Sequence, residues 1–271
     1  MRPLLILILA LAALAGSGCV INKPSPALSS ARRSFDPKYN DWNLILTRYV
    51  TPAGVDYARM QRDKAEGLLE IAVAEMSQVT PEQFAGWSHD TRLAFLIDAH
   101  NAHAMVRVLR HYPIKSLGQT VSLLATARGA RNILLLGREW SLATLADEIT
   151  GYPYHEARAI FLLNWAAKGC APLPGVAVTA ANLQDLLERQ TKDFMTDPKN
   201  YKYDPNKHIL YVSNLISWYS DAFERDYPSR WDFVRRILPQ SQLGVMTQRK
   251  QPPRLRYLPF DKTLNDASTG K

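Results

Sequence analysis

The sequence predicts a mainly helical α+β fold in a single globular domain over residues 41–239, with a small β-hairpin or sheet. Three observations predict it. Apolar residues recur at helical spacing in most windows of the chain, and Gly and Pro punctuate those windows. Residues 132–142 (NILLLGREWSL) read as an apolar run, a turn at Gly137 and a second short strand. Residues 208–212 (HILYV) supply a further strand, and no internal repeat is present.

Taken in order, residues 42–49 have enough apolar positions at helical spacing to seed a helix. The stretch 51–57 (TPAGVDY) is a turn, because Pro52 and Gly54 interrupt the helix before Val55. Helical spacing returns over 58–76. Asp90 is placed to cap a long helix ending near His111, where Pro113 stops it. Residues 143–150 and 156–167 read as helices separated by the 151–153 break, and 181–194 as an amphipathic helix. Residues 214–225 are expected to be helical with Ser213 as the cap, and 231–238 add a short helix. The tail, 240–271, is basic and Pro-interrupted from Gln248, which is the pattern of a surface-draped or mobile segment.

The N-terminus is of another kind. Arg2 precedes an unbroken Leu/Ile/Ala run over 4–14, the length of a secretory signal and too short for a comfortable membrane span. Gly16, Ser17 and Gly18 then place small residues directly before Cys19, as in a bacterial lipoprotein signal cut ahead of an acylated Cys. Residues 1–18 are therefore expected to be the signal peptide and Cys19 the lipid attachment site. Residues 19–40, Pro/Ser-rich over 21–33, are expected to be a flexible tether. Val20 carries no acidic retention signal, which places the anchor in the outer membrane, facing the periplasm.

Composition narrows the function classes. Of 271 residues, 33 are Lys or Arg and 25 Asp or Glu, giving +8, with 46% hydrophobic residues. That excludes a disordered polyelectrolyte and a collagen-like chain, and two cysteines cannot make a disulfide framework. The basic balance alone suggests nucleic acid, but a protein tethered outside the cytoplasm does not meet the genome. The expected partners are the membrane, through the lipid on Cys19, and an anionic envelope or cell-wall polymer, with no nucleic acid.

Wound at about 100° per residue, the helix over 90–111 shows a wide apolar arc, with His103, Arg107 and Arg110 in a polar wedge that Leu96 interrupts. Asn101 and Asp98 fall inside the apolar arc, and His100 sits on its border. A buried carboxylate or amide without hydrogen bonds costs about 1–3 kcal/mol. Asp98 and Asn101 must therefore build a structural network or line a pocket. His100 and His103 are spaced for two metal ligands, but a zinc site announces three or four, so no metal and no cofactor are expected.

Several motifs resemble a family of bacteria and plants named only as domain of unknown function 547. The resemblance runs from Trp42 to Phe223. It is carried by Tyr49-Val50 with Gly54 to Ala58, by Ala94 to Ile97 with Ala99, Asn101 and Ala102, and by Ser141-Leu142. Arg158, Leu163-Asn164, Lys168 to Cys170 and Pro172-Leu173 continue it, and Ser217 to Tyr219, Asp221 and Phe223 end it. The family's Asn-x-Tyr-Asn core stands here as Asp98-x-His100-Asn101, its Glu-His pair falls on Ala146-Asp147, and its first Cys is Trp165. The resemblance implies no activity.

Cys170 remains the thiol of the mature chain once Cys19 is acylated. A cysteine hydrolase needs a thiolate, a His to exchange its proton, a group to orient that His and an oxyanion donor. Cys170, His100, Asp98 or Asn101, and Asn164 can supply these roles, with His155 as a second candidate base. The alternative is a buried, inert thiol. Asp221 is expected to pair with Arg158. Two functions follow: a lipid-anchored hydrolase or transferase acting on an envelope amide or ester, or a non-catalytic lipoprotein that binds or assembles envelope components.

Overall fold

The computed structural model describes residues 35–120, 129 and 132–270. The expected signal peptide, Cys19 and the expected tether as far as residue 34 lie outside the described residues.

The first layer is helical. Helices α1 (Asn40–Tyr49), α2 (Tyr57–Arg62), α3 (Glu66–Ser77) and α4 (Pro81–Ala85) precede the long α5 (His89–Leu109). Between α1 and α2 a two-residue hairpin pairs β1 (Val50–Thr51) with β2 (Gly54–Val55). Thr80 and Gln83 form a reciprocal capping box on α4, with Pro81 in its first turn. The cap of α5 is Ser88, whose hydroxyl accepts from Thr91 N. Asp90, expected as the cap, lies inside the first turn instead, where a carboxylate still favours a helix N-terminus. The helical window 58–76 is two helices, because Asp63 to Ala65 break it and Lys64 takes a positive φ of 54°.

Helix α5 is the core element, packed by α2, α3 and α6 (Leu142–Thr150). It is buried along nearly its whole length, including Leu96 and Arg107 of the wedge read as polar, while His103 is half-buried and Arg110, just past the helix end, is exposed. Before α6, strands β3 (Ile133–Leu135) and β4 (Arg138–Trp140) form the expected hairpin, and Ser141 with Thr144 caps α6.

The segment expected as a helix over 156–167 is a 3-10 turn, Ala157–Leu162, followed by extended backbone. Helix α7 (Leu183–Thr196) follows. Then β5 (Tyr201–Asp204) pairs antiparallel with β6 (Ile209–Ser213). The expected helix 214–225 is broken into α8 (Leu215–Trp218) and α9 (Ser220–Asp226), and Ser213 Oγ does accept from Leu215 N. Helices α10 (Arg230–Ile237) and α11 (Gln240–Met246) carry the chain back to β7 (Arg254–Leu258), which pairs parallel with β6. A parallel return needs a long crossover, and α8 to α11 provide it.

Both domain ends differ from expectation. Residues 35–40 do not behave as tether: Phe35 packs edge-on against Tyr39 and Phe95, 5.2 and 5.4 Å between ring centres, and α1 begins at Asn40. The tail is not draped. It supplies α11 and β7, and Leu264, Asn265 and Asp266 are buried. Its polar composition conceals this, because a strand paired on one side and a few anchoring side chains need no amphipathic period. Truncation after Gln251 should therefore lower the unfolding free energy by at least about 3 kcal/mol, from lost apolar burial and hydrogen bonds. An unchanged thermal midpoint would show that the tail is dispensable.

Candidate functional site

Three buried amides organise the region around Cys170. Asn101 on α5 donates through Nδ2 to Leu162 O at 2.8 Å, and its Oδ1 accepts from Asn164 N at 2.7 Å. An amide suits this place because it must give and take at once, which an ionised Asp cannot do. Asn164 Oδ1 then accepts from Ala166 N at 2.8 Å and from Asn265 Nδ2 at 3.1 Å. This bend holds Ala166 at a positive φ of 51°. Tyr57 completes the chain by donating to Asn265 Oδ1 at 3.3 Å.

The C-terminal segment is stitched on both sides of this network. Asn265 N donates to Ala166 O, Lys168 N to Thr263 O and Gly169 N to Asp261 O, so residues 261–265 run alongside 166–169. On the other side Val55 N donates to Asn265 O at 2.9 Å. Gly54 permits that contact: its φ is +130°, and a Cβ there would stand 2.1 Å from Asn265 O. Asp266 accepts the Tyr112 hydroxyl at 2.6 Å.

Cys170 sits at the end of the turn, buried, with its N–H donated to Ala167 O at 3.0 Å. It lines a pocket of about 470 Å³ together with Asn200, Ser213 and Asn265, and with Leu173, Leu258 and Phe260 as apolar walls. Lys168, Lys199 and Asp261 are exposed at its lining. Hydrogen bonds from Thr263 hold the Asp261 carboxyl below the usual range, with help from the Lys168 charge. The Tyr57 hydroxyl is pushed well up, first by burial, with Asp266 and Cys170 adding to the shift while the nearby Asn164 amide opposes it. Tyr57 therefore stays protonated and cannot serve as a base for the thiol at neutral pH.

The sequence-predicted residues separate into two groups. Asn101, Asn164 and Cys170 belong to one continuous region. His100 adjoins this region, whereas Asp98 and His155 go elsewhere. His100 is fully buried, its ring edge-on to Trp165 at 4.8 Å and its Nδ1 3.4 Å from Asn101 Oδ1, and it does not line the pocket. His155 is exposed in the loop before the 3-10 turn, at a positive φ of 49° and beside Tyr152. Among the described residues no histidine lines the Cys170 pocket.

Asp98 faces a different segment, where its carboxylate accepts from Val178 N at 2.9 Å. Burial raises its pKa well above 3.8, and the Trp42 indole and the Val178 N–H oppose that only in part. Arg158 does not pair with Asp221. Glu156 takes its guanidinium in two hydrogen bonds of 2.8 and 2.6 Å, while Asp221 accepts the Ser220 hydroxyl. Among the described residues no group of three or more His, Cys, Asp or Glu is arranged to hold a metal ion. No helix among them is long and apolar enough to cross a membrane.

Asn265 and Tyr57 are the site residues that sequence reasoning missed. Tyr57 carried a signal, since it stands in the Gly54 to Ala58 motif. Asn265 carried none, because a single Asn in a polar tail has no period to mark it as buried.

Residues 84–195 match the family described as "Protein of unknown function, DUF547". The matched stretch holds Asn101, Asn164 and Cys170. It excludes Tyr57 and Asn265, and with them the outer parts of the resemblance at 42–83 and 196–223. No curated protein and no solved structure matches the chain.

The Asp98 environment has a pH consequence. The folded protein keeps the Asp98 proton to a higher pH than the unfolded chain, whose carboxyl ionises near the ordinary 3.8. The unfolded state sheds the proton first, so this residue lowers stability as pH rises from about 4 toward neutrality. Asp98→Asn keeps an acceptor for Val178 N and removes the charge. Relative to wild type it should gain stability on the order of 1 kcal/mol between pH 4 and 7, read from denaturant midpoints. A difference that does not change with pH would refute this account.

Proposed function

We propose that the chain is an envelope lipoprotein, anchored through Cys19 in the outer membrane and facing the periplasm, which uses the Cys170 pocket to bind an envelope component. One observation carries the binding reading: the pocket sets Cys170 among buried amides and apolar walls, with lysines exposed at its lining.

The lining favours a ligand with a polar, hydrogen-bonding part. Buried Asn265, Asn200 and Ser213 offer donors and acceptors, Phe260 and Leu258 offer apolar contact, and Lys168 and Lys199 favour an anionic group. An anionic cell-wall polymer combines these chemistries, and the basic balance of the chain supports the same class.

Two variants at one position separate the readings. Binding of isolated cell-wall polymer by the purified mature protein should survive Cys170→Ser within about twofold and fall at least tenfold in Cys170→Trp, whose ring fills the pocket. Cys170 should react with iodoacetamide at about pH 7 no faster than cysteine in solution. Fast alkylation, together with loss of function in Cys170→Ser, would return the thiol to a catalytic role. The anchor has its own check: labelled palmitate should enter the wild-type chain and not Cys19→Ala.

A further inference from the structure

A second pocket, of about 130 Å³, opens along α5 and is lined by His103, Arg107, Arg110, His111, Thr120 and Asn132, with Val106 and Ile133 as apolar walls. His103, Arg107, Arg110 and His111 recur at helical spacing on one stripe, so their side chains are neighbours. Arg107 and Asn132 hydrogen-bond, joining this stripe to the chain just before β3. Arg110 donates to Glu70 Oε1 at 2.8 Å, a pair in which both side chains are about half exposed. No carboxylate is among the lining residues described. Two guanidiniums one turn apart bring like charges to one side of this cavity.

His103 adds an independent observation. The residue is half-buried at the pocket, but its Nε2 is shut off from solvent and has no hydrogen-bond partner among the described residues. Burial, then the charges of Arg110 and Arg107, push its pKa down to about 4. At neutral pH it is therefore an uncharged ring able to present one N–H. A buried ring nitrogen without a partner is costly, and the cost falls when an acceptor enters the pocket. His111 is already oriented, since its Nδ1–H donates to Arg107 O at 2.8 Å.

We infer that the α5 stripe of His103, Arg107, Arg110 and His111 forms a binding site for a phosphoryl oxyanion, either inorganic phosphate or the terminal phosphate of a larger molecule. Guanidiniums match phosphate oxygens with forked donors, and charge-assisted hydrogen bonds of this kind are strong. Four cationic or donor side chains line one small cavity, which offers more donors than a carboxylate's two oxygens need. The cavity admits one such group, so a larger phosphate ester would leave its remainder in solvent.

The test uses the full mature chain in detergent and three probes: inorganic phosphate, glycerol 3-phosphate and acetate, each followed by equilibrium dialysis. Saturable binding of one phosphate per chain is expected, weakened at least tenfold by Arg110→Gln and by His103→Phe, which keeps the ring but removes the donor. Arg138→Gln, on the β3–β4 hairpin, should bind as wild type. Circular dichroism melting of each variant separates lost binding from lost folding, and the exposed Arg110 keeps the test valid should His103→Phe fail to fold. Equal affinity for phosphate and glycerol 3-phosphate assigns the site to the terminal phosphate of a larger ligand, and preference for phosphate assigns it to the ion. No saturable binding up to about 10 mM, acetate binding as tight as phosphate, or undiminished binding in folded Arg110→Gln would each overturn the inference.

Discussion

The hydrogen bonds that run from Asn101 through Asn164 to Asn265 join three segments far apart in sequence, and the Cys170 region depends on them. Asn101 ties α5 to the end of the 3-10 turn, Asn164 bends the chain toward Ala166, and Asn265 brings the C-terminal segment across that bend. Each amide is buried, so each link exchanges a hydration shell for a fixed partner. Leaving any one donor or acceptor unmatched would cost about 1–3 kcal/mol, a large share of the stability of a typical domain. The interior is thus specified by geometry as well as by apolar burial. A Leu at Asn101 would match the volume approximately and leave Asn164 N and Leu162 O without their partners.

This constraint explains why Gly54 is needed. The Val55 N–H to Asn265 O bond and the positive φ at Gly54 are two sides of one close approach, and any side chain at that position would push the C-terminal segment away. The segment would then lose its grip on Lys168 and Gly169, whose N–H groups it holds through Thr263 and Asp261. Those two residues precede Cys170 directly. The position of the thiol is therefore set from the far end of the chain, through backbone contacts.

Helical periodicity made most of the fold legible. The long central helix, the β3–β4 hairpin and the strand at 209–213 follow from apolar spacing and turn residues. The misreadings share a physical origin. Residues 156–167 have helical composition, yet the chain leaves the helix after Leu162, where the Asn101 bonds to Leu162 O and Asn164 N hold it, a tertiary override of local preference. The tail is polar because a strand beside one neighbour needs little apolar surface, and its anchoring Asn265 is a single residue. Within the site, Asn101, Asn164 and Cys170 were legible because polar residues in an apolar arc and a motif-borne Cys both demand explanation. Asp98 satisfied the same test and went elsewhere. It lies about 60° from Asn101 around the helix axis, enough to face Val178 instead.

Angular position around the axis divides the labour of α5. Asn101 serves the amide chain and Asp98 holds the loop at Val178, both on the arc that reads as apolar, while His100 at its border packs against Trp165 and Asn101. On the stripe read as a polar wedge, the ring of His103 keeps unused hydrogen-bonding capacity among the described residues. Burial of most of the helix inverts the usual reading: Asp98 and Asn101 in the apolar arc are matched by backbone partners, whereas cationic residues on the opposite stripe line a cavity. Elements buried on every side are where polarity carries most information, because solvent is not available to satisfy it. On such a helix the functional candidate is the polar group whose hydrogen bonds the protein has not already used.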